Sequence, residues 1–424
     1  MPFAGLDVHK KEIEAVVIDE TGTVLVRERV ATRRESLERF ARRHLHECRV
    51  ALEATTNTWA VVSILAPLVK EVVVSNPLRT RAIASAKIKT DKVDALALAQ
   101  LLRSDYLPRV WTPDEPTRRL RQQSSERANL SADRTRLKNR IHAVLHQRLI
   151  EPPVTDLFSK KGLAWLASLE LDEQGEKALY RHLRQLAQVE AEFGLLDDEL
   201  AAQAYAHPQI RLLMSLPGVD YAVAESLLAV LGDITRFPHP DKAAAYFGLA
   251  PSTHQSGDHC YHGRITKQGS AHGRWMLIQA AQHVGTHPGP LGVFFRRLTR
   301  KKNRNVAVVA TARKLVTIAW HMLKNDEPYR YAQPKTVEAK YSRLRVRVTG
   351  QKRKTGCKGQ KRPASYGSGD RTRAVPALDR IYAAEGLAAL TFSTSGEQAM
   401  LERHRVAEYA ARLRESHRVP RHSN

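Results

Sequence analysis

The chain has 424 residues, 42% of them hydrophobic, which is enough for two or three cored domains and excludes a chain disordered throughout. Its 68 Lys and Arg against 44 Asp and Glu leave a formal charge of +24, an excess that points to a polyanion partner, nucleic acid first. Three cysteines without a C-x-x-C pair argue against a disulfide framework or structural zinc, and with no apolar run approaching ~18 residues and no signal-peptide core, a soluble protein of the reducing cytoplasm is expected.

Phe3 to Val8 reads as a short buried strand carrying an unexpected charge, Asp7. His9-Lys10-Lys11 turns the chain into a second strand, Ile13 to Ile18, and Thr21-Gly22-Thr23 turns it into a third, Val24 to Val30. A helix follows from about Arg34 to Leu45, with Leu37, Phe40 and Ala41 on one face. Cys48 to Glu53 is a short strand ending on an acid, Thr58 to Val69 an apolar helix, and Glu71 to Val74 another buried strand. A hairpin series followed by helix–strand–helix–strand is the pattern of an RNase H-like α/β sheet, with Asp7 on its first central strand and Glu53 at the end of the neighbouring one.

Asn76-Pro77 starts a turn, after which Arg79, Arg81, Lys87 and Lys89 offer cations for phosphates leading into a site, or simply a solvated helix face. Thr90 stands where an N-cap would, ahead of Asp91-Lys92-Val93-Asp94 and a strongly helix-forming run to Leu102. Asp91 and Asp94 share a helix face at the end where the dipole favours negative charge. Asp7, Glu53, Asp91 and Asp94 can therefore converge from distant positions. Convergent carboxylates repel unless a cation resolves them, and hard oxygen ligands select Mg²⁺ or Mn²⁺, the ions of phosphoryl transfer.

From Thr112 to Ile150 and again from about Gly175 to Tyr205 the chain is long, polar and helical, a pattern for a coiled-coil arm that dimerises or carries Arg and Lys along nucleic acid. Leu216-Pro217-Gly218-Val219 before a helix from Ala222 to Leu231 reads as a helix-hairpin-helix, whose Gly218 turn offers amides to a phosphate, or as a plain helical hairpin. Gln255-Ser256-Gly257-Asp258 then places a small nucleophile on a glycine-flanked loop near Arg264, Lys267 and Arg274. Read alone, Ser256 is more often a turn residue; a serine attacks phosphorus only when deprotonated or metal-activated.

Taken together, Gly5-Leu6-Asp7-Val8-His9-Lys10, Leu52-Glu53-Ala54-Thr55, Lys89-Thr90-Asp91-Lys92-Val93-Asp94-Ala95, the Leu-Pro-Gly-Val hairpin and Gly-Leu-Ala-Pro…Ser-Gly…Gly-Arg-Ile-Thr-Lys-Gln-Gly resemble the DEDD transposases of bacterial insertion sequences. These are relatives of the Piv DNA invertase, described as bridge-RNA-guided serine recombinases. The resemblance runs from Phe3 to about Lys324. It implies a RuvC-like domain over 1–111, a helical arm over 112–206 and a mainly α C-terminal transposase domain over 207–332. It places the four catalytic and metal-binding acids on Asp7, Glu53, Asp91 and Asp94, with Mg²⁺ there. The catalytic serine falls on Ser256, or as a lesser candidate Ser252, because the family's usual Ser-Ser-Gly-Gly-Lys is replaced here by Gln-Ser-Gly-Asp-His. It further implies cleavage through a phosphoserine linkage, a guide RNA, and a homo-oligomer on DNA that unites serine and acids.

From Gln333 to Ala374 the chain carries thirteen Lys and Arg against two acids, and 333–424 reads as a basic, largely flexible tail, either a polyanion binder or a solubilising extension, with two short helices able to form from about Leu378 to Arg414. Two other readings stand beside the transposase: a metal-dependent junction nuclease, which needs the acids and not the serine, and a non-catalytic nucleic-acid binder.

Overall fold

The computed structural model describes residues 1–83, 90–257, 259–351, 372–391 and 394–420, and the chain divides into two compact units, Met1–Asp114 and Glu115–Asn424. The first is a mixed α/β layer structure. Strands β1 (Phe3–Val8), β2 (Glu12–Ile18) and β3 (Val24–Ala31) form the antiparallel meander; α1 (Arg34–Phe40, extended by a wider turn to Leu45), β4 (Arg49–Glu53), α2 (Thr58–Leu65), β5 (Glu71–Ser75), α3 (Pro77–Ile83) and α4 (Asp91–Arg103) follow. The sheet order is β3-β2-β1-β4-β5, with β4 and β5 running parallel in the direction of β1.

Strand alternation sorts the side chains of this sheet into two cores. Ala4, Leu6, Ile13, Ala15, Val50 and Leu52 face α1 and α2, where Leu37, Phe40, Val61 and Leu65 cover them. Phe3, Val16, Ile18, Ala51 and Val73 face the other way, onto Ala95, Leu98, Ala99 and Leu102 of α4. The small Ala residues of α4 let its backbone descend onto β1, and Gly5 completes the fit. A Cβ at Gly5 would stand 2.0 Å from the Ala95 carbonyl oxygen and 2.7 Å from the Ala99 nitrogen. This helix therefore rides directly over β1, and its first turn reaches the strand's C-terminal end.

The second unit is mostly helical. Its first helices are α5 (Glu115–His146), α6 (Lys160–Ala167) and α7 (Glu173–Ala206). Ion pairs from Arg127 to Asp197, Arg134 to Glu190 and Arg148 to Asp172 show that α5 and α7 run antiparallel. Leu137, Ile141 and Leu145 meet Leu166, Leu179 and Leu186 in a small core at one end of the pair. Next come α8 (Pro208–Met214), α9 (Tyr221–Leu231), α10 (Pro240–Tyr246), the hairpin β6 (Pro251–Ser256) and β7 (His259–Ile265), α11 (Ala271–Gln282), α12 (Pro290–Thr299), α13 (Arg304–Asn325) and α14 (Pro334–Thr349). Strand β8 (Thr372–Val375), helices α15 (Leu378–Ala384), α16 (Ser395–Arg403) and α17 (Ala407–Arg412) and strand β9 (His417–Pro420), paired with β8, end the described chain. By length and composition α13 is apolar enough to cross a bilayer. Its Ala307, Ala312, Leu315, Val316 and Ala319 are fully buried in the unit's main core, the environment of an interior helix.

The reading of 333–424 as a largely flexible tail is corrected at Pro334–Thr349 by α14, while α15 falls within Leu378 to Arg414, where two short helices are expected. Val337, Tyr341 and Leu344 of α14, with Leu378, Ile381 and Tyr382 of α15, are buried in the same core as α9 and α13. Lys340, only 7% exposed, turns inward and its Nζ donates to the carbonyls of Met214, Leu216 and Val219 at 2.7, 2.6 and 2.8 Å. Arg347 reaches Asp197 and Asp198 of α7. Lys340 and Arg347, which suggest a solvated tail, are thus spent on acceptors within the unit.

Candidate active site

Because α4 rests on Gly5, its acidic first turn arrives over Asp7. The Thr90 side chain accepts from the Val93 amide and starts the helix, leaving Asp91 and Asp94 in its first turn. Leu6 pairs with Leu52 across the parallel β1–β4 ladder, so the next residues, Asp7 and Glu53, end adjacent strands and point to the α4 side. On the other flank Asp7 faces Glu14 of β2, which is buried and held by Arg29 at 3.3 Å. Three acids thus stand in one row across β2, β1 and β4.

His9 joins this row to α4. Its Nε2 lies 3.1 Å from Asp7 Oδ2 and 3.4 Å from Asp91 Oδ1. Burial holds the Asp7 carboxyl above the usual carboxylate range; His9 opposes that shift, and the charges of Asp91 and Asp94 add to it. Above His9 and Asp91 opens a polar cavity of about 300 Å³, also lined by Lys11, Glu12, Glu14 and Arg29.

Asp7, His9 and Asp91 each bring a ligand atom within 4.8 Å of the others. Two carboxylates and an imidazole, with the central carboxyl destabilised as an anion by burial and then by Asp91 and Asp94, fit a divalent cation. Protonated, His9 would bridge the two carboxylates; neutral, it offers a nitrogen ligand. Of the four acids expected from the sequence, Asp7 and Asp91 are in this group. Asp94 stands outside it but acts electrostatically on Asp7, and Glu53 ends the neighbouring strand on the same face. His9 is the residue to which the sequence reading gives a turn and a place in the quoted motif but no role in the site. The Asp-x-His spacing at a strand end carries the signal, since alternate residues on an extended chain share a face.

In the second unit Ser256 is the last residue of β6, paired with His259 at the tip of an exposed hairpin rather than on a free loop. Gly257 turns the tip with φ +56°. The Ser256 hydroxyl is exposed and makes no hydrogen bond to another described residue. Ser252, half-buried, packs its Oγ over Gly263, where a Cβ would stand 2.4 Å away. His254 and Tyr261 stack across the hairpin with ring centroids 5.0 Å apart.

Of the cations read as phosphate contacts, Arg264, Lys267, Arg79 and Arg81 are exposed. Arg274 instead donates to the Phe247 and Lys267 carbonyls at 3.0 and 3.3 Å, tying down the segment after the hairpin. Lys87 and Lys89 lie outside the described residues. Gly218, φ +75°, permits close packing between the α8–α9 turn and α11, because a Cβ there would meet the Ala280 carbonyl at 2.2 Å.

Residues 4–150 match a family model of DEDD transposases of the IS110 type, described as transposase, and residues 210–291 match one described as the transposase IS116/IS110/IS902 family. The chain is 33% identical over 141 residues to the transposase for insertion sequence element IS1111A of Coxiella burnetii, covering 32% of this chain and 39% of that protein. It is 25% identical over 351 residues to a probable family 20 transposase of Pseudomonas aeruginosa, covering 77% of this chain and 98% of that one. A pilin gene-inverting protein of Moraxella lacunata is 27% identical over 272 residues, 61% of this chain and 74% of the relative. The match to the Coxiella protein thus spans less than two thirds of that relative's length.

Proposed function

This chain belongs to the DEDD-type transposases of the IS110 family, and on that premise we propose that it cuts and rejoins DNA at the ends of an insertion sequence. The observation that carries the reading is the Asp7–His9–Asp91 cluster, built by a Gly5-supported helix inside the segment that matches the DEDD model. The strand order β3-β2-β1-β4-β5, with one antiparallel side and one parallel side and helices on both faces, supports an RNase H-like, RuvC-like domain. Mg²⁺ or Mn²⁺ bound by Asp7 and Asp91, with Glu53 and Asp94 beside them, would neutralise phosphoryl oxygens and lower the pKa of a bound hydroxyl or water.

The chain's own groups do the rest. Burial and the charges of Asp91 and Asp94 destabilise the Asp7 carboxylate, and a bound cation would relieve that repulsion. Ser256 is read as the nucleophile: its Oγ forms a bond to phosphorus, the bridging P–O bond of the DNA strand breaks, and the proton lost by the serine ends on the strand oxygen that departs. A hydroxyl of the incoming strand reverses the step, restoring the diester and the serine. The exposed hairpin tip supports this role, because a nucleophile that meets a duplex must protrude. The antiparallel α5–α7 pair is read as a coiled-coil arm, the α8–α9 turn as a helix-hairpin-helix, and an element-encoded guide RNA and a dimer or tetramer on DNA as partners.

One observation favours the nuclease alternative: the acid cluster is assembled, while Ser256 has no base hydrogen-bonded to it among the described residues. Purified protein incubated with end-labelled element DNA, co-expressed flanking RNA and Mg²⁺ separates the two. A shifted band on a denaturing gel that disappears on proteolysis and is absent from Ser256→Ala establishes the phosphoserine enzyme. Free cut ends without an adduct, retained in Ser256→Ala, would replace it with the nuclease. Binding with no product in either protein would leave only a nucleic-acid binder.

A further inference from the structure

Between Asp258 and Asp326 the sequence contains no acidic residue and twelve Lys and Arg. The densest part is the turn from α12 to α13. Arg296 is spent there on the Gly285 and His287 carbonyls, while Arg297, Arg300, Lys301, Lys302 and Arg304 are exposed. Arg297, Arg300 and Lys301 follow at helical spacing and so form one stripe. That stripe leads to the mouth of a cavity of about 570 Å³ enclosed by α12, α13, the segment after α13, and α16. Its walls include Leu291, Phe294, Ile318 and Met322, and its rim carries Arg297 and Lys314. Arg297 sits 5.8 Å from the Phe294 ring centroid. Two carboxylates also line the cavity, and Arg330 holds both, Glu327 at 2.9 Å and Glu397 at 2.7 Å, so that with Arg297 and Lys314 the lining carries three Lys and Arg against two acids. Apart from Pro290 and Leu291, the lining lies beyond both family models.

A rim that carries Arg297 and Lys314 and a wall of apolar and aromatic side chains match the two halves of a nucleotide, a charged phosphate and a base with a π-face. The volume is within the range of pockets that enclose a molecule of that size. We propose that this cavity takes one unstacked nucleotide of a single strand, with its base against Phe294, Ile318 and Met322 and its phosphate on Arg297 and Lys314. Arg300, Lys301, Lys302 and Arg304 carry the phosphates of the neighbouring nucleotides. A duplex satisfies the second set of contacts and not the first. The inference rests on the nucleic-acid part of the function proposed above and is independent of its cleavage chemistry.

The test uses the full chain in a chelator-containing buffer, so no cutting intervenes. The probes are a single-stranded DNA, the RNA of the same sequence, and the blunt DNA duplex, compared at several salt concentrations. Ile318→Trp, which fills the cavity, and Phe294→Ala, at its wall, are expected to weaken single-strand binding about tenfold and leave duplex binding unchanged. Phe294 is half-buried, so its variant stands if Ile318→Trp fails to fold. Arg300→Ala is expected to weaken every probe and to lower the salt slope by about 0.7 on single strands. A single strand photocrosslinked through 5-iodouracil should attach within Leu291–Ile318. Stronger binding of the RNA assigns the cavity to an RNA strand, and stronger binding of the DNA to an opened DNA end. Binding of single strand and duplex that Phe294→Ala and Ile318→Trp leave alike overturns the cavity. Failure of the unaltered protein to bind any of the three probes overturns the nucleic-acid reading itself.

Discussion

Asp7 lies on an interior strand beneath a helix whose backbone rests on Gly5, and Asp91 is delivered to it by that helix. Ser256 lies at the exposed tip of a two-stranded hairpin, with no side-chain partner among the described residues. The acids are held by core packing, so their geometry is set when the first unit folds. The serine is held only by a short ladder at the tip of the hairpin. A site that must hold repelling charges needs the rigid scaffold; a group proposed to attack a DNA strand needs to protrude.

The sharpest way to break this comparison is to remove each group. Asp91→Ala and Ser256→Ala should each lower recombination in a two-plasmid assay by about a thousandfold or more while nucleic-acid binding persists. Full activity in either variant would remove that residue from the chemistry. The two should differ with metal: Mn²⁺ should raise the thermal midpoint of the unaltered protein and of Ser256→Ala but not of Asp91→Ala, since an ion bound only by the native site stabilises it. An equal rise in all three would place the ion elsewhere.

Gly5→Val attacks the scaffold instead of the chemistry. Its side chain would enter space already held by the Ala95 carbonyl, costing about 3 kcal/mol by overpacking. Urea unfolding should show that loss, and recombination should fall with it because α4 can no longer bring Asp91 to Asp7. A stable, active Gly5→Val protein would mean that this close approach does not set the site.

Burial raises Asp7 in the first unit and Glu225 in the second, and of these two only Asp7 has a partner. Asp7 has the hydrogen bond from His9; Glu225 on α9 is 2% exposed, and neither of its oxygens has a hydrogen-bond partner. Burial, with Asp197 and Asp220 adding against Arg127, pushes Glu225 up to about 8 from an ordinary 4.5. Between those values the folded chain keeps a proton that the unfolded chain has lost. Stability from this group is therefore fully present below about pH 4.5 and falls as pH rises to about 8, by at most about 1.4 kcal/mol per pH unit. Glu225→Gln should flatten that decline in denaturant titrations from pH 5 to 8; an unchanged slope would show that Glu225 ionises freely.

Much of the first unit was legible because strand alternation is a local signal. Asp7 and Glu53 interrupt apolar strands at their ends, and Thr90-Asp91-Lys92-Val93-Asp94 announces a capped helix, so four acids can be nominated before any fold is known. His9 was hidden because it lies one residue past the strand, where sequence reads as turn. The hairpin at Ser256 was hidden by its glycine, which marks the tip of a ladder as readily as a loop. The end of the chain was misread for another reason. Val337, Tyr341 and Leu344 keep helical spacing through Pro334–Thr349, but five Lys and Arg between Lys335 and Arg347 mask it as a solvated tail.

Lys340 shows why that mask works. Its three acceptors, Met214, Leu216 and Val219, lie more than a hundred residues earlier, and no local pattern distinguishes an inward lysine from an exposed one. Those carbonyls belong to the α8–α9 turn, so an ammonium from α14 fixes the segment read as a phosphate-binding hairpin. Lys340→Met keeps the length and apolar stem but leaves the carbonyls without their donor, and should cost about 2 kcal/mol of stability. It should also weaken DNA binding if the turn contacts phosphate, whereas Lys335→Met, exposed on the same helix, should change stability little. Equal, small effects from the two would return α14 to the status of a solvated extension and leave the turn to hold itself.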